Sequence, residues 1–324
     1  MQVLELAKPQ LDGFVRAVNK EYEFIAPVKT DEIRFEPVKS AAQINLAEQP
    51  LYPLKRYFFV KKEVLFTFDG KEIIVPEPKV PKRVFFGVRR CDLNALKHQD
   101  MVFLDKEHED PYYKARRENA IFIGYHCDVA PSKYCFCNSL KLEEYSDLMF
   151  FDRGDRFVVE VQTEKGREFV NAFRRLFSSS DYPLSDKDRK IKNFKELKRP
   201  ADLNRHYDSE KWEKGVKDCV SCAACTMLCP TCYCFNIEDE SEWDLKSMQR
   251  VRTHASCQLK GFTTVAGEHV FRESRSDRFK HRIYHQLQWF REKHGIDLCV
   301  GCGRCITGCP SKIDFIEIIN EIAK

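Results

Sequence analysis

Two stretches of this sequence repeat one pattern: Asp218-Cys-Val-Ser-Cys-Ala-Ala-Cys-Thr-Met-Leu-Cys-Pro230 and Leu298-Cys-Val-Gly-Cys-Gly-Arg-Cys-Ile-Thr-Gly-Cys-Pro310. Their cysteines, their first valine and their final proline stand in register. The spacing C-x2-C-x2-C-x3-C-P is that of two-cluster ferredoxins, in which the fourth cysteine of each copy binds the other copy's 4Fe-4S cluster. The repeat therefore predicts a duplicated ferredoxin-type core.

This spacing assigns eight of the cysteines to two clusters. We expect the first cluster to be bound by Cys219, Cys222, Cys225 and Cys309, and the second by Cys299, Cys302, Cys305 and Cys229. Small residues between these ligands should let backbone N–H groups approach the sulfurs. Zinc is the alternative, since C-x2-C pairs also build zinc ribbons. Zinc would leave the third and fourth cysteines of each copy unexplained.

The composition is that of a folded protein from a reducing compartment. Hydrophobic residues make up 43% of the 324 residues, too many for a disordered chain. No apolar run approaches the roughly 18 residues of a membrane helix, and residues 1–14 carry charges where a secretory signal would be apolar. We therefore expect a cytoplasmic protein with no membrane contact, whose 15 cysteines serve metals rather than disulfides.

Residues 1–185 are predicted to form an α/β domain, and the remainder, 186–324, a mainly helical domain that holds the duplicated core. The fold class is therefore α/β followed by helical, or α+β overall. Apolar runs predict strands and helical spacing predicts two longer helices. The expected strands are 57–60, 64–68, 73–75, 83–88, 120–124 and 157–161, and the expected helices are 168–177 and 271–294.

Four further cysteines in the first domain suggest a third metal site. Cys91 follows the strand at 83–88, and Cys127 follows the strand at 120–124. A helical segment between these strands predicts a parallel crossover, so both cysteines should meet at the carboxyl edge of the sheet. With Cys135 and Cys137 they could bind a third 4Fe-4S cluster. Unligated buried thiols and zinc are the alternatives, and Asp92 and His126 are reserve ligands.

Three cysteines remain without an assignment: Cys232, Cys234 and Cys257. Packing against a cluster is their simplest role, because buried cysteine is a common small hydrophobe. A further metal site that uses His254 as a fourth ligand is the alternative.

Several segments resemble the iron-sulfur β subunits of soluble nickel-iron hydrogenases of the sulfhydrogenase type, NAD(P)-linked enzymes whose family includes the 4Fe-4S dicluster subunit of anaerobic sulfite reductase. The resemblance covers most of the chain. It rests on Gly87-Val-Arg-Arg-Cys-Asp-Leu93, Asp110-Pro-Tyr-Tyr113, Cys135-Phe-Cys137, Cys229-Pro-Thr-Cys-Tyr-Cys-Phe235 and Cys299-Val-Gly-Cys-Gly-Arg-Cys305. It implies a protein that relays single electrons and makes no bonds itself. Its implied partners are a subunit that binds FAD and NAD(P) and the small and large hydrogenase subunits, or alternatively a siroheme sulfite reductase subunit.

No nucleotide-binding glycine motif follows a predicted strand, so we expect this chain to bind neither flavin nor nicotinamide. A different functional class is a structural or nucleic-acid-associated protein that uses the clusters only to stabilise its fold. The net charge of +4 suggests a basic protein. Each oxidised cluster with its four thiolates contributes about −2, however. We therefore interpret the basic stretch at 250–293 as compensation for cluster charge or as a docking surface for an acidic partner, and we expect no nucleic-acid partner.

Overall fold

Two β-sheets organise the part of the chain that the computed structural model describes, residues 2–243 and 245–324. The strands, in chain order, are β1 (Gln2–Ala7), β2 (Glu23–Lys29), β3 (Ile33–Pro37), β4 (Lys62–Phe68), β5 (Ile73–Ile74), β6 (Arg83–Val88), β7 (Ala120–Tyr125), β8 (Leu148–Asp152), β9 (Arg156–Val161), β10 (Ser178–Ser179), β11 (Phe235–Ser241) and β12 (Met248–His254). The large sheet has the order β10-β1-β9-β8-β7-β6-β2-β3, and the small sheet has the order β11-β12-β4-β5.

The helices cover the large sheet and build the second half of the chain. They are α1 (Leu11–Val18), α2 (Arg90–Phe103), α3 (Pro111–Glu118), α4 (Glu164–Ala172), α5 (Lys211–Val216), α6 (Ala224–Met227), α7 (Arg275–Tyr284), α8 (Phe290–His294), α9 (Arg304–Thr307) and α10 (Phe315–Ile322). A π-helical turn at His285–Trp289 joins α7 to α8.

Alternation along β6 sends side chains into two cores, one on each face of the large sheet. Phe86 packs into the core that α1 and α4 cover. Phe85 packs into the opposite core, which Leu93 of α2 and Tyr113 of α3 also line. Because both faces are covered, the central strands are apolar on both sides, as is usual for parallel sheets. The predicted α/β architecture of this half is confirmed.

The parallel crossover predicted from the sequence is also present. Strands β6 and β7 pair in parallel, with Phe85 opposite Phe122. Helix α2 begins two residues after β6 ends, and β7 ends at Tyr125. The carboxyl ends of both strands therefore lie at one edge of the sheet, where Cys91 and Cys127 follow them.

Several elements differ from the sequence predictions, and the helix expected from residue 271 starts at Arg275. The strand expected at 57–60 is wrong: Leu54–Tyr57 is a 3-10 turn, and Phe58 and Phe59 are buried in the core beside α2. The closing helix expected at 168–177 starts earlier, at Glu164, because the Thr163 hydroxyl accepts a hydrogen bond from the Gly166 N–H and caps it.

The second half is built around a helical core, as predicted, and also contains a hairpin that was not expected. Trp212, Phe279 and Ile319 belong to this core. Strands β11 and β12 pair with each other and, through β12, with β4 of the first half. The small sheet therefore contains strands from both sides of residue 185. The division of the chain into two domains at that residue stays a prediction. Among the described residues, no helix has both the length and the apolar character needed to cross a bilayer.

Candidate iron-sulfur centres

The two cysteine turns adopt the same backbone geometry, which supports the internal repeat. Ser221 and Ala223 have positive φ angles of 53° and 64°. Their counterparts in the second copy, Gly301 and Gly303, have φ angles of 65° and 72°. A four-residue helix, α6 or α9, follows each turn. The repeat in the sequence is therefore a repeat in structure.

These left-handed turns direct backbone N–H groups toward sulfur, as expected from the small residues in the motifs. The Ser221 N–H donates to Cys219 Sγ at 3.4 Å. In the second copy the Gly301 N–H donates to Cys299 Sγ at 3.5 Å. Such hydrogen bonds stabilise thiolates and tune the potential of a bound cluster.

The four cysteines predicted for the first cluster line one cavity, together with Cys305 and Arg282. The cavity takes three thiols from the first motif and Cys309 from the second, as the crossed ligation of two-cluster ferredoxins requires. Cys222 is exposed, so this cavity reaches the protein surface.

The cysteines predicted for the second cluster also lie together. Burial and the nearby charges of Cys305, Cys229 and Cys302 raise the pKa of the Cys299 thiol well above its usual value. Burial, and then the charge of Cys229, raises the pKa of Cys302 to about 12. Cys229 thus comes from the first motif and the other three cysteines from the second. A metal must displace protons from the Cys299 and Cys302 thiols when it binds, whereas the contact with Cys232 holds the pKa of Cys229 well below its usual value.

The structure brings the four cysteines proposed for the third site to one cavity. Cys91 lies in the first turn of α2, and Cys127 lies two residues beyond β7. Cys135 and Cys137 line the cavity from the following loop, and Cys302 of the second motif lines it as well. Burial raises the pKa of the Cys135 thiol to about 12.

Close backbone packing joins this third cavity to the second motif. The Phe136 N–H donates to the Gly301 carbonyl at 2.9 Å. A Cβ atom on Gly301 would lie 2.6 Å from the Cα of Cys137, so only glycine permits this approach. The Cys135 thiol donates to the Cys302 carbonyl at 3.6 Å. The third and second sets of cysteines therefore share a wall.

A buried ion pair fixes the same junction. Arg304 is fully buried and donates to both carboxylate oxygens of Asp92, at 2.9 and 2.6 Å, and to the Pro50 carbonyl at 2.7 Å. Asp92 is therefore engaged by Arg304 rather than directed to a metal. Sequence reasoning missed this pair, because the two residues are 212 positions apart and no local signal links them.

Two other buried cations lie against the cysteines. Arg89 donates to Cys127 Sγ at 3.2 Å. Arg282 of α7 is 4% exposed, and its neighbours Cys305, Cys225 and Cys229 hold its pKa high although burial opposes the charge. In the basic stretch, Arg275 donates to the Cys219 carbonyl, whereas Lys280 lies over the Tyr207 ring. Arg282 of this stretch therefore lies against the cysteines, and compensation of cluster charge by the stretch stays a prediction.

The spacing of the thiols does not fit a single zinc ion. One ion holds its ligand atoms close together. Among the described residues, the one group of ligand atoms that lie within 4.8 Å of one another is the exposed set Asp105, Glu107 and His108, with no cysteine in it. Wider sets around a cavity fit a cluster, which spreads its thiolates over several irons.

The two histidines considered as metal ligands and the three unassigned cysteines have other contacts. His126 is buried, packs on Phe151 at 5.1 Å between ring centres, and does not line the third cavity. Nε2 of His254 lies 3.0 Å from the Phe59 carbonyl oxygen, so the imidazole ring has a hydrogen-bond partner that is not a metal. Cys232 and Cys234 lie beside the buried Lys55, whose Nζ donates to the Cys232 carbonyl at 2.9 Å, and Cys257 is buried next to Gln258, which donates to its Sγ at 3.7 Å.

Comparison with known proteins agrees with this arrangement. A family model described as a 4Fe-4S dicluster domain matches residues 218–313, the segment that contains both cysteine turns. The chain is 31% identical to the sulfhydrogenase 2 subunit beta of Pyrococcus furiosus, over 99% of its own length and 98% of that protein. The chain belongs to the sulfhydrogenase beta-subunit family. No solved structure matches it.

Membership of the sulfhydrogenase beta-subunit family covers both halves of the chain, because the alignment extends far beyond the dicluster domain. The sheet edge that carries Cys91 and Cys127 is thus part of the shared sequence. The resemblance to the dicluster subunit of sulfite reductase stays a prediction.

Proposed function

We propose that this chain is an electron-transfer subunit of a hydrogenase-type complex, with three 4Fe-4S clusters bound by the three sets of cysteines described above. Its sequence relative is by name one subunit of a sulfhydrogenase. Each cluster, when bound, takes up and releases one electron. The protein's contribution is to hold these groups at fixed spacing, shield them and set their charge environment.

One observation carries the proposal: the three sets of cysteines adjoin one another in a row. Cys302 belongs to the second set and lines the third cavity. Cys305 belongs to the second set and lines the first cavity. An electron that passes from one set to the next therefore does not have to cross a separate layer of protein. Such continuity suits a relay and is not needed for metals that only stabilise a fold.

The buried cations would make this row tolerate negative charge. Arg89 lies at the third set, Arg304 between the third and second, and Arg282 between the second and first. Charges buried without partners are strongly disfavoured, so thiolates bound to a cluster would stabilise Arg89 and Arg282, whereas Arg304 is already paired with Asp92. Burial raises the pKa of the Cys135 and Cys302 thiols, so these two are protonated until a metal binds.

The first set is the end of the row that opens to a partner. Cys222 is exposed and the adjoining Val220 is 62% exposed. Small exposed apolar side chains at a redox group let another protein chain approach it closely. We assign flavin and NAD(P)H chemistry to such a partner, and hydrogen or polysulfide chemistry to another, within a cytoplasmic complex.

Co-purification tests this function. The affinity-tagged chain would be isolated anaerobically from its own cells, and the complex assayed for nickel, flavin and siroheme. We expect nickel and flavin, together with bleaching of the visible iron-sulfur absorbance when hydrogen or NAD(P)H is added. Siroheme in place of nickel would instead assign the chain to sulfite reduction. A chain that carries neither group and does not bleach would contradict the proposal.

A further inference from the structure

One wall of the third cavity consists of two backbone segments that run side by side. Residues 128–130 and 190–192 pair in parallel. The Ala130 N–H donates to the Lys192 carbonyl at 2.9 Å, and the Lys192 N–H donates to the Asp128 carbonyl at 3.0 Å. Because both segments are extended at this pairing, successive side chains point alternately into the cavity and away from it.

The two sides of this wall differ in exposure. Ala130 and Ile191 line the cavity and are buried. Val129, between the buried Cys127 and Ala130, is 52% exposed, and Lys190 and Lys192 are exposed as well. Only one layer of backbone therefore stands between the third set of cysteines and a molecule that rests on the outer side of the wall.

Asparagine side chains tie the wall to the loop at 131–138, which carries two of the cysteines. The Asn138 N–H donates to Asn193 Oδ1 at 2.9 Å, and the Asn138 side-chain amide donates to the Ile191 carbonyl. Asn193 Nδ2 lies 3.6 Å from Cys137 Sγ. The wall is thus held at a fixed position against a proposed ligand of the third cluster.

The outer side of the wall carries positive charge that the described part of the chain does not offset. Lys133, Lys190 and Lys192 are exposed, and none of them forms an ion pair with a described residue. Asp128 is the one carboxylate in the two wall segments and the loop. It lies 3.4 Å from the Arg153 guanidinium, so its charge is already paired.

Lys133 and a large apolar side chain extend the same surface. The Lys133 ammonium lies over the Tyr134 ring at 5.1 Å from its centre, and the Lys195 ammonium lies over that ring at 5.8 Å. Phe194, the residue before Lys195, is 59% exposed. We call the following five residues the wall surface: Val129, Lys133, Lys190, Lys192 and Phe194.

We propose that the wall surface docks an acidic protein chain, the subunit to which hydrogen or polysulfide chemistry is assigned above. This inference rests on the proposed function, because it gives the relay a second partner at the end of the row opposite the first set. Three cations without partners favour a chain whose surface is rich in carboxylates. The two exposed apolar side chains supply area that such a chain can bury. Docking there brings a one-electron group of the partner close to the third set.

Lysine footprinting of the intact complex tests the position of this surface. The complex and the full chain alone would be acetylated under identical anaerobic conditions and mapped by mass spectrometry. We expect the lysines of the wall surface to react at least about fivefold more slowly in the complex. The exposed Lys71 and Lys79, which flank β5 of the small sheet, serve as controls and should react equally in both samples. Equal reaction of the wall-surface lysines in both samples would overturn the proposal.

A carbodiimide, which joins a lysine directly to a carboxylate, identifies the occupant. We expect links from Lys190 and Lys192 to aspartate or glutamate residues of a subunit that holds a one-electron group and no flavin. Links to the flavin subunit would overturn the assignment of the partner. Protected lysines that form no link to any other subunit would overturn its acidic character.

Charge reversal tests the electrostatic part of the proposal. The double variant Lys190→Glu, Lys192→Glu should bind the acidic subunit at least about tenfold more weakly and lose it from the tagged complex at a lower salt concentration. Its iron content and its flavin subunit should be retained. The matched variant Lys71→Glu, Lys79→Glu changes the net charge equally and should lose neither subunit.

Retention of the acidic subunit by the Lys190 and Lys192 variant at the salt concentrations that the unsubstituted complex withstands would contradict the proposal. Failure of the relay itself has a different signature. It would leave the footprint and the links in place and abolish the bleaching by hydrogen or NAD(P)H.

Discussion

The Cys135→Ala protein should contain about four fewer irons per chain than the unsubstituted protein, because each 4Fe-4S cluster holds four. Cys135 is 4% exposed and lines the third cavity with Cys91, Cys127 and Cys137. It belongs to neither ferredoxin-type motif, so the other two sets keep all their ligands. Iron and acid-labile sulfide, measured on protein purified without oxygen, give the count.

The matched control for this experiment is Cys232→Ala. Cys232 is also buried, but it belongs to none of the three ligand sets. Its removal should leave the iron count unchanged. An unchanged count in the Cys135 variant would contradict a third cluster. Loss of all iron from that variant would mean that the loop holding Phe136 against Gly301 is needed for the dicluster core to form.

The second large effect concerns redox potential. Replacing Arg282 by Met should lower the potentials of both ferredoxin-type clusters by roughly 100 mV. A unit charge about 6 Å away contributes about 3 kcal/mol at an effective dielectric constant of about 20, and tenfold in a one-electron equilibrium corresponds to about 59 mV. The sign follows from charge: Arg282 lies beside Cys305, Cys225 and Cys229, so it favours the more negative, reduced state.

Two control variants separate this charge effect from a change in packing. Arg282→Lys keeps the charge and should retain most of the potential. Lys280→Met removes a cation from the same helix, but Lys280 lies over the Tyr207 ring and pairs with Asp277, so both potentials should stay within error. Equal potentials in the Met and Lys variants of Arg282 would show that its charge does not act on the clusters.

Local sequence patterns were sufficient where the chemistry requires a fixed spacing. The cysteine repeat predicted which eight thiols come together, including the exchange of Cys229 and Cys309 between sets. The strand-helix-strand pattern predicted that Cys91 and Cys127 share a sheet edge. Both predictions depend on neighbours in sequence or on the handedness and order of a crossover.

The features that sequence reasoning missed depend on pairing between distant residues. All residues of β11 are exposed and most are polar, so the segment lacks the alternation of apolar and polar residues that predicts a strand. Cross-strand ion pairs support it instead, such as Arg250 with Asp239 and Lys62 with Glu240. Arg304 with Asp92 and Lys55 with the Cys232 carbonyl are also pairs of residues distant in sequence that only the fold brings together.

The central claim is that the clusters relay electrons, and an anaerobic reductive titration of the intact protein tests it most directly. We predict reversible uptake of about three electrons per chain, one for each 4Fe-4S cluster. The visible absorbance should return fully on reoxidation. Absence of reversible uptake, with colour lost for good as the clusters break down, would contradict a relay and indicate that the metal serves only to stabilise the fold.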